Sequence, residues 1–150
     1  MANSSVGLPQ LTQVDWISAQ IALIDIRTQV FIHEQRISAD DEWDHWDATS
    51  WHFLADLPGH TNVGCLRLTP EGQLSRLAVL KAFRRRGVAE ALMRGAMQFG
   101  AQRFDRLFLH AQLPVVPFYQ RLGFRVTGAE FLDAGLAHRP MTWLQPSPKT

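Results

Sequence analysis

Three consecutive arginines followed by a glycine are the residues of this 150-residue chain best suited to holding an anion. Arg84, Arg85 and Arg86 run into Gly87, Val88 and Ala89 where an apolar strand pattern gives way to the helical spacing of Val88, Leu92, Ala96 and Phe99. A helix that begins at a glycine presents unpaired backbone N–H groups at the positive end of its dipole. Gly87 and the small Ala89 let a ligand approach the main chain, and the arginines add charge from the rim, so a pyrophosphate fits. Neither Gly-x-x-x-x-Gly-Lys nor Gly-x-Gly-x-x-Gly is present, which disfavours nucleotide triphosphatases and dinucleotide oxidoreductases. A nucleic-acid surface would need interleaved aromatics and a longer basic stripe than these three arginines provide.

The opposite charge gathers elsewhere. Residues 1–60 hold nine acids against two bases, a net of −7, and the remaining ninety hold thirteen bases against five acids, a net of +8. Much of the acidic excess lies in Asp40, Asp41, Glu42, Asp44 and Asp47, set among Trp43, Trp46 and Trp51. Carboxylates such as Asp41 and Asp44 attract a cationic amine, and indole faces cover its alkyl part. The alternative is a solvated loop whose tryptophans anchor in the core, with the two charged segments attracting each other. Cys65 is the sole cysteine, so an internal disulfide and a cysteine-rich zinc site are excluded, and no metal is expected.

With 46% hydrophobic and 19% charged residues, the chain is sized for one core, and a single domain over residues 1–150 is expected, with 146–150 as a frayed tail. No apolar run approaches the ~18 residues of a membrane span, and Met1–Gln10 holds no secretory pattern. The expected location is the cytoplasm, with no membrane partner.

Elements follow from periodicity. Leu11–Trp16 reads as a strand, and Ser18 as the N-cap of a helix to about Arg27 whose core face carries Ile21, Ile24, Thr28 and Phe31. Gln35–Ser50 shows no sustained period and reads as a loop with room for a helical turn. Trp51–Leu57, Val63–Leu68 and Leu74–Leu80, separated by Pro58-Gly59 and Pro70-Glu71-Gly72, form an antiparallel meander. A helix to about Arg103 and a buried strand Leu107–Ala111 complete a β-α-β crossover. Pro117 opens a further helix stopped by Gly123, and Phe124–Glu130 pairs with His138–Leu144 as a closing hairpin. The fold class is α/β, mixed α+β.

Leu77-Ala78-Val79 on a strand, then Arg84-Arg85-Arg86-Gly87-Val88-Ala89, then Phe118-Tyr119-Gln120-Arg121-Leu122-Gly123-Phe124, resembles the GNAT superfamily of acyl-coenzyme A-dependent N-acetyltransferases. The segment from Arg27 to Gln35, with the Asp-rich stretch and Trp51-His52-Phe53, is similar to the ElaA-like branch. The resemblance implies a sheet splayed near its middle, with acetyl-coenzyme A entering the opening. It implies that the main chain of Leu77, Ala78 and Val79 pairs with the pantetheine arm, that Arg84 to Ala89 hold the pyrophosphate, and that Tyr119 stands near the thiol sulfur. Two departures stand out. Gln112 occupies a place where the family often has Asn, and Leu74–Leu80 lacks the carboxylate that many relatives carry there as general base.

Acyl transfer to an amine needs a neutral nucleophile and a proton for the departing thiolate. Tyr119, the only tyrosine, suits the second task, because a phenol of pKa ~10 donates a hydrogen bond that strengthens as charge develops on sulfur. For deprotonating the amine the candidates are Glu34, His33, His52 and His110. Glu34 is preferred because it lies in the segment that resembles the family's acceptor side; His110, on a buried strand, reads as a core histidine. Asp41, Asp44 and His52 are the expected acceptor contacts. Cys65 has no activating motif, so direct attack in a ternary complex is expected over a covalent intermediate. The rival readings are a non-catalytic acyl-coenzyme A sensor and a nucleic-acid binder. A small-molecule or peptide amine is the expected partner, no nucleic acid is, and a homodimer is allowed.

Overall fold

The computed structural model describes residues 7–146, so all but the first residue of the expected tail lies outside the described residues. β1 (Gln10–Val14) leads into α1 (Trp16–Arg27), which continues as wider π-helical turns over Thr28–Glu34. A single turn, α2 (Ala39–Glu42), follows, and then β2 (Trp51–Leu57), β3 (His60–Leu68) and β4 (Leu74–Val79). After α3 (Val88–Ala101) come β5 (Arg106–Gln112), α4 (Val116–Arg121), β6 (Arg125–Val126), β7 (Phe131–Asp133) and β8 (Leu136–Leu144). No helix of the described residues is long and apolar enough to cross a membrane.

Two four-stranded sheets result. β1-β2-β3-β4 is an antiparallel meander, and β5-β8-β6, with β7 also on β8, is a second antiparallel group. They touch at one end only. Gln73 makes a parallel bridge to Phe108, whose N–H donates to the Gly72 carbonyl at 3.1 Å. Beyond that bridge β4 and β5 share no ladder, so a wedge opens towards Val79 and Gln112.

Each face of the sheet is covered by a helix chosen by side-chain alternation. Phe53, Ala55 and Leu57 point to α3, joining Leu66, Leu68, Leu92, Met93, Leu107, Leu109 and Met141 in the larger core. Leu54, Cys65 and Ala78 point the other way, to Leu23, Ile26, Val30 and Phe31 of α1 and its extension. Gly64 is required by this packing, since a Cβ there would lie 2.9 Å from Val88 Cγ1 at the start of α3.

Several local expectations are corrected. Asp15, not Ser18, caps α1: its carboxylate accepts from the Ser18 N–H at 2.8 Å and the Ser18 hydroxyl at 2.7 Å, leaving Ser18 in the first turn. Of the expected core face Phe31 is buried, Ile24 and Thr28 are half-buried and Ile21 is 87% exposed; the rest of the buried stripe is Leu23, Ile26, Arg27 and Val30. The expected pairing of Phe124–Glu130 with His138–Leu144 holds at Arg125 and Val126, which face Thr142 and Met141, but the hairpin itself is β7–β8. Ala134 (φ 51°) and Gly135 (φ 78°) are both left-handed between Asp133 and Leu136, a two-residue turn that sets its register.

Candidate active site

The wedge between β4 and β5 opens into a cleft of about 1290 Å³. Its lining draws on α1's extension, the acidic segment, β4, the arginine loop, the start of α3, β5, α4 and the β7–β8 hairpin.

At one end stands the arginine loop. Arg85 (φ 63°) and Gly87 (φ 80°) are both left-handed, and Gly87 is the N-cap of α3 with no side chain bonded to the helix end. The first helical bond runs from the Ala91 N–H to the Gly87 carbonyl, so the N–H groups of Val88, Ala89 and Glu90 have no partner within the helix. A Cβ at Gly87 would meet nothing within 4 Å, which shows open space over that main chain. The arginines divide. Arg85 and Arg86 are exposed, whereas Arg84 donates from Nε to the Val79 carbonyl at 2.9 Å and makes a bidentate pair with Glu34, both contacts 2.6 Å.

β4 forms the neighbouring wall. Its ladder to β3 shifts between Ala78 and Ser75, with Arg76 left-handed at φ 56°, a bulge that leaves Arg76 and Leu77 out of register. The three residues expected to share one role therefore differ: Ala78 is paired with Cys65, the Val79 carbonyl is held by Arg84, and Leu77 sits at the bulge, on the strand edge facing the wedge.

Tyr119 of α4 is half-buried on the cleft, and burial pushes its phenol above the ordinary value. Among the described residues its hydroxyl has no hydrogen-bond partner. Gln112, at the end of β5, donates from Nε2 to Gln35 Oε1 at 3.0 Å and so ties β5 to the end of α1's extension across the opening. Cys65 is buried, and burial raises its thiol to about 12, which removes it as a nucleophile.

The acidic segment is an ion network. Arg27, 1% exposed, donates to Glu42 at 2.8 Å and Asp47 at 2.8 Å, and lies against Trp43 with its guanidinium carbon 4.9 Å from the ring centre. Arg67 of β3 binds Asp44 at 2.7 Å and Asp47 at 3.0 Å; Arg76 binds Glu42 at 3.0 Å and Asp44 at 3.2 Å. Three carboxylates thus face three guanidinium groups. Asp44 and Asp41 do line the cleft, but Asp44 is fully engaged, and Asp41 accepts from the Ser38 hydroxyl at 3.0 Å.

Two expected residues lie elsewhere. Glu34 is exposed and lines a smaller hollow with His33, Leu80 and Lys81, outside the main cleft; Arg84's hydrogen bonds hold its carboxyl below the ordinary range. That pairing leaves it a poor base. His52 is 1% exposed, faces Trp16 at 5.5 Å, and donates from Nε2 to the Asp47 carbonyl at 2.9 Å; burial lowers its pKa. It belongs to the core.

In their place the structure brings His110, His138 and Asp133 to the cleft. His110 is exposed rather than a core residue, because Leu107, Leu109 and Ala111 take the buried face of β5. His138 was missed, yet the Asp-Ala-Gly turn signal at residues 133–135 fixes the β7–β8 register that puts it opposite Phe131; the pairing of β8 with β5 puts it opposite Gln112. Arg67 and Arg76 were missed as well. Alternation along β3 could have found Arg67, which shares the inward face of Cys65. Among the described residues no cluster that could hold a metal occurs.

Comparison with known proteins agrees with this geometry. The acetyltransferase (GNAT) domain family matches residues 25–145. YjcF of Bacillus subtilis, an uncharacterized N-acetyltransferase, is 38% identical over 124 residues, covering 77% of this chain and 86% of YjcF. The crystal structure of an acyl-CoA N-acyltransferase from Pseudomonas aeruginosa superposes with a TM-score of 0.79 at 26% identity, over 90% of this chain and 99% of that one. Escherichia coli ElaA shares the fold, with a TM-score of 0.78 at 23% identity over 91% and 99% of the two chains. A splayed sheet, a bulged β4 and an uncapped glycine helix start, found together with these matches, make this chain a member of the GNAT acetyltransferase family.

Proposed function

We propose that the protein transfers an acetyl group from acetyl-coenzyme A to a primary amine by direct attack in a ternary complex. The observation that carries this is the start of α3. Three N–H groups without a partner among the described residues and a left-handed glycine with empty space above it stand beside the wedge that opens between β4 and β5 beyond the Gln73–Phe108 bridge. These residues fit a diphosphate: N–H groups of Val88, Ala89 and Glu90 donate to it, and Arg85 and Arg86 supply charge. Leu77, at the β4 bulge, offers main chain to the pantetheine arm, Ala78 backs it, and Gln112 lies across from them. The bound donor supplies an activated acyl group.

Tyr119 gives its proton to the departing sulfur. Its raised pKa keeps the phenol protonated throughout the physiological range, and its hydroxyl is not committed to any described residue. The buried, protonated Cys65 supports direct transfer over an acyl-enzyme. Asp41, the one cleft carboxylate of the acidic segment outside the arginine network, is the remaining acidic contact for a cationic acceptor. The acceptor is a small molecule or peptide amine, and we place the reaction in the cytoplasm, where a free thiol such as Cys65 stays reduced.

Calorimetry with acetyl-coenzyme A and release of free thiol with spermidine, glucosamine, lysine and phenylethylamine test this reading. Saturable binding with thiol release for at least one amine is expected, with turnover lowered about 10²- to 10⁴-fold in Tyr119→Phe. Binding without release for any amine would make the protein a sensor of the donor, and absence of binding would reject the site.

A further inference from the structure

We infer that His138 is the general base that takes the proton from the attacking amine, on the wall of the cleft formed by β5, β7 and β8. This rests on the transfer reading above. The tautomer follows from one contact. His138 Nδ1 lies 2.7 Å from the Leu136 carbonyl oxygen, which can only accept, so Nδ1 carries the hydrogen and the neutral ring keeps its lone pair on Nε2. No buried side-chain nitrogen or oxygen of the described residues lacks a partner. Nε2 has none among them, so it is open, and the surface it opens to is the cleft that His138 lines. A carbonyl that fixes one ring nitrogen and leaves the other facing substrate is the arrangement a base requires.

Register places this nitrogen on the acceptor side. Leu109 and Met141 are opposite one another and both enter the core under α3. His138 is opposite Gln112 and Phe131, so all three lie on the reverse face, the face on which Gln112 reaches Gln35 and on which the acidic segment packs. Phe131 stands against both imidazoles, stacked on His138 at 5.8 Å and edge-on to His110 at 5.0 Å, an apolar wall that limits water beside the base. The titratable groups on the strands beside His138 are His110 on β5 and Asp133 on β7, and Tyr119 and Arg121 of α4 line the same cleft. Burial lowers the His110 pKa, and the charge of Asp133 opposes that shift.

The proton count closes. The ammonium loses one proton to His138 Nε2, and its freed lone pair forms the bond to the thioester carbon as the carbon–sulfur bond breaks. Tyr119 protonates the sulfur and regains a proton from the new amide nitrogen. His138 then releases its proton to solvent, so one proton leaves per turnover.

Three measurements test this. In wild-type protein labelled with nitrogen-15, imidazole NMR should show His138 as the Nδ1–H tautomer at high pH; an Nε2–H tautomer would overturn the inference. His138→Gln should keep the calorimetric affinity for acetyl-coenzyme A, lose about 10²- to 10⁴-fold in kcat/KM for whichever panel amine wild type acetylates, and lose the acidic limb of the pH–rate profile. Imidazole added to His138→Ala should restore part of the rate, which a purely structural role would not allow. If His138→Gln matches an active wild type in rate and profile, the base assignment falls and the transfer reading stands. A wild type that binds acetyl-coenzyme A yet acetylates no amine would remove both.

Discussion

Between Asp40 and Asp47 the chain carries five carboxylates, and between Arg84 and Arg86 three guanidinium groups, and folding treats the two clusters in opposite ways. Glu42, Asp44 and Asp47 are drawn inwards onto Arg27, Arg67 and Arg76, with Trp16 and Trp43 closing over Arg27. Arg85 and Arg86 stay in solvent beside unpaired N–H groups. Both clusters border the cleft, but Glu42, Asp44 and Asp47 are neutralised by guanidinium groups, so that of the cleft carboxylates of the first cluster only Asp41 is left for a ligand, whereas Arg85 and Arg86 of the second remain unpaired among the described residues. The first is scaffold: it joins α1, the acidic segment, β3 and β4 into one wall. Charge density alone does not mark a binding site; uncompensated charge beside open main chain does.

Breaking the inward cluster should have the largest effect. Arg27→Met removes the most buried of the three guanidinium groups and leaves Glu42 and Asp47 short of a partner, and breaking a buried pair from one side costs about 3–5 kcal/mol. Urea unfolding should record a loss of that size, with acetyl-coenzyme A still binding at concentrations where the variant is folded. A loss below 1 kcal/mol would mean that the network is as dispensable as a surface pair.

Asp44→Asn comes next. Burial pushes the Asp44 carboxyl up, but hydrogen bonds and charge from Arg67, with Arg76, outweigh it and hold the group below its ordinary value. A lowered folded-state pKa contributes stability above the ordinary carboxylate value of ~3.9 and loses it as pH falls through that range. At pH 7 the variant should be less stable by about 1.5–3 kcal/mol, the worth of hydrogen bonds to a charged group. The gap between variant and wild type should narrow as unfolding is repeated below pH 4. Donor affinity should not change. An acceptor KM that rises in Asp41→Asn but not in Asp44→Asn would separate the free carboxylate from the structural one.

These two predictions also show what the sequence carried. The meander, the crossover helix and the arginine loop were legible because each rests on local signals: alternation in Trp51–Leu57, a four-residue stripe from Val88, a glycine where a helix must start without a Cβ. The network was not, because it depends on Arg27, Arg67 and Arg76, spread over fifty residues, converging on one acidic segment. Charge bookkeeping registered the attraction of the two segments without showing which arginines would be buried. His138 was hidden for a related reason, since its value lies in standing across from Gln112, a pairing of β8 with the distant β5 that no local signal sets. Glu34 misled in the opposite direction: a carboxylate at a helix end reads as reactive until Arg84, fifty residues away, is seen to hold it.

The outward cluster offers a gentler test. Gly87→Ala puts a Cβ into a left-handed residue, a strain of about 1–2 kcal/mol in folding, and puts a methyl group into the open space beside the main chain that the diphosphate is proposed to meet. Calorimetry with coenzyme A should show affinity weaker by about tenfold. If stability falls while affinity does not, the diphosphate lies elsewhere along the cleft, and the contrast between the two clusters loses its functional half.

The smallest effect is expected where the extension of α1 meets the arginine loop. Glu34 and Arg84 are each more than one-third exposed at the side chain, so their pair is screened by solvent and contributes at most about 0.2–1 kcal/mol despite its bidentate geometry. Glu34→Gln should therefore barely move the unfolding midpoint, and because the carboxylate is outside the cleft and already held ionised by Arg84, the acidic limb of the pH–rate profile should stay where it is. What should change is the donor side. Without its carboxylate partner, Arg84 keeps only the Val79 carbonyl and gains freedom to turn towards the diphosphate, so affinity for coenzyme A should rise by a few fold, most visibly at low salt. If the acidic limb disappears in Glu34→Gln while His138→Gln retains it, the proton leaves through α1's extension rather than β8, and the two walls exchange their roles.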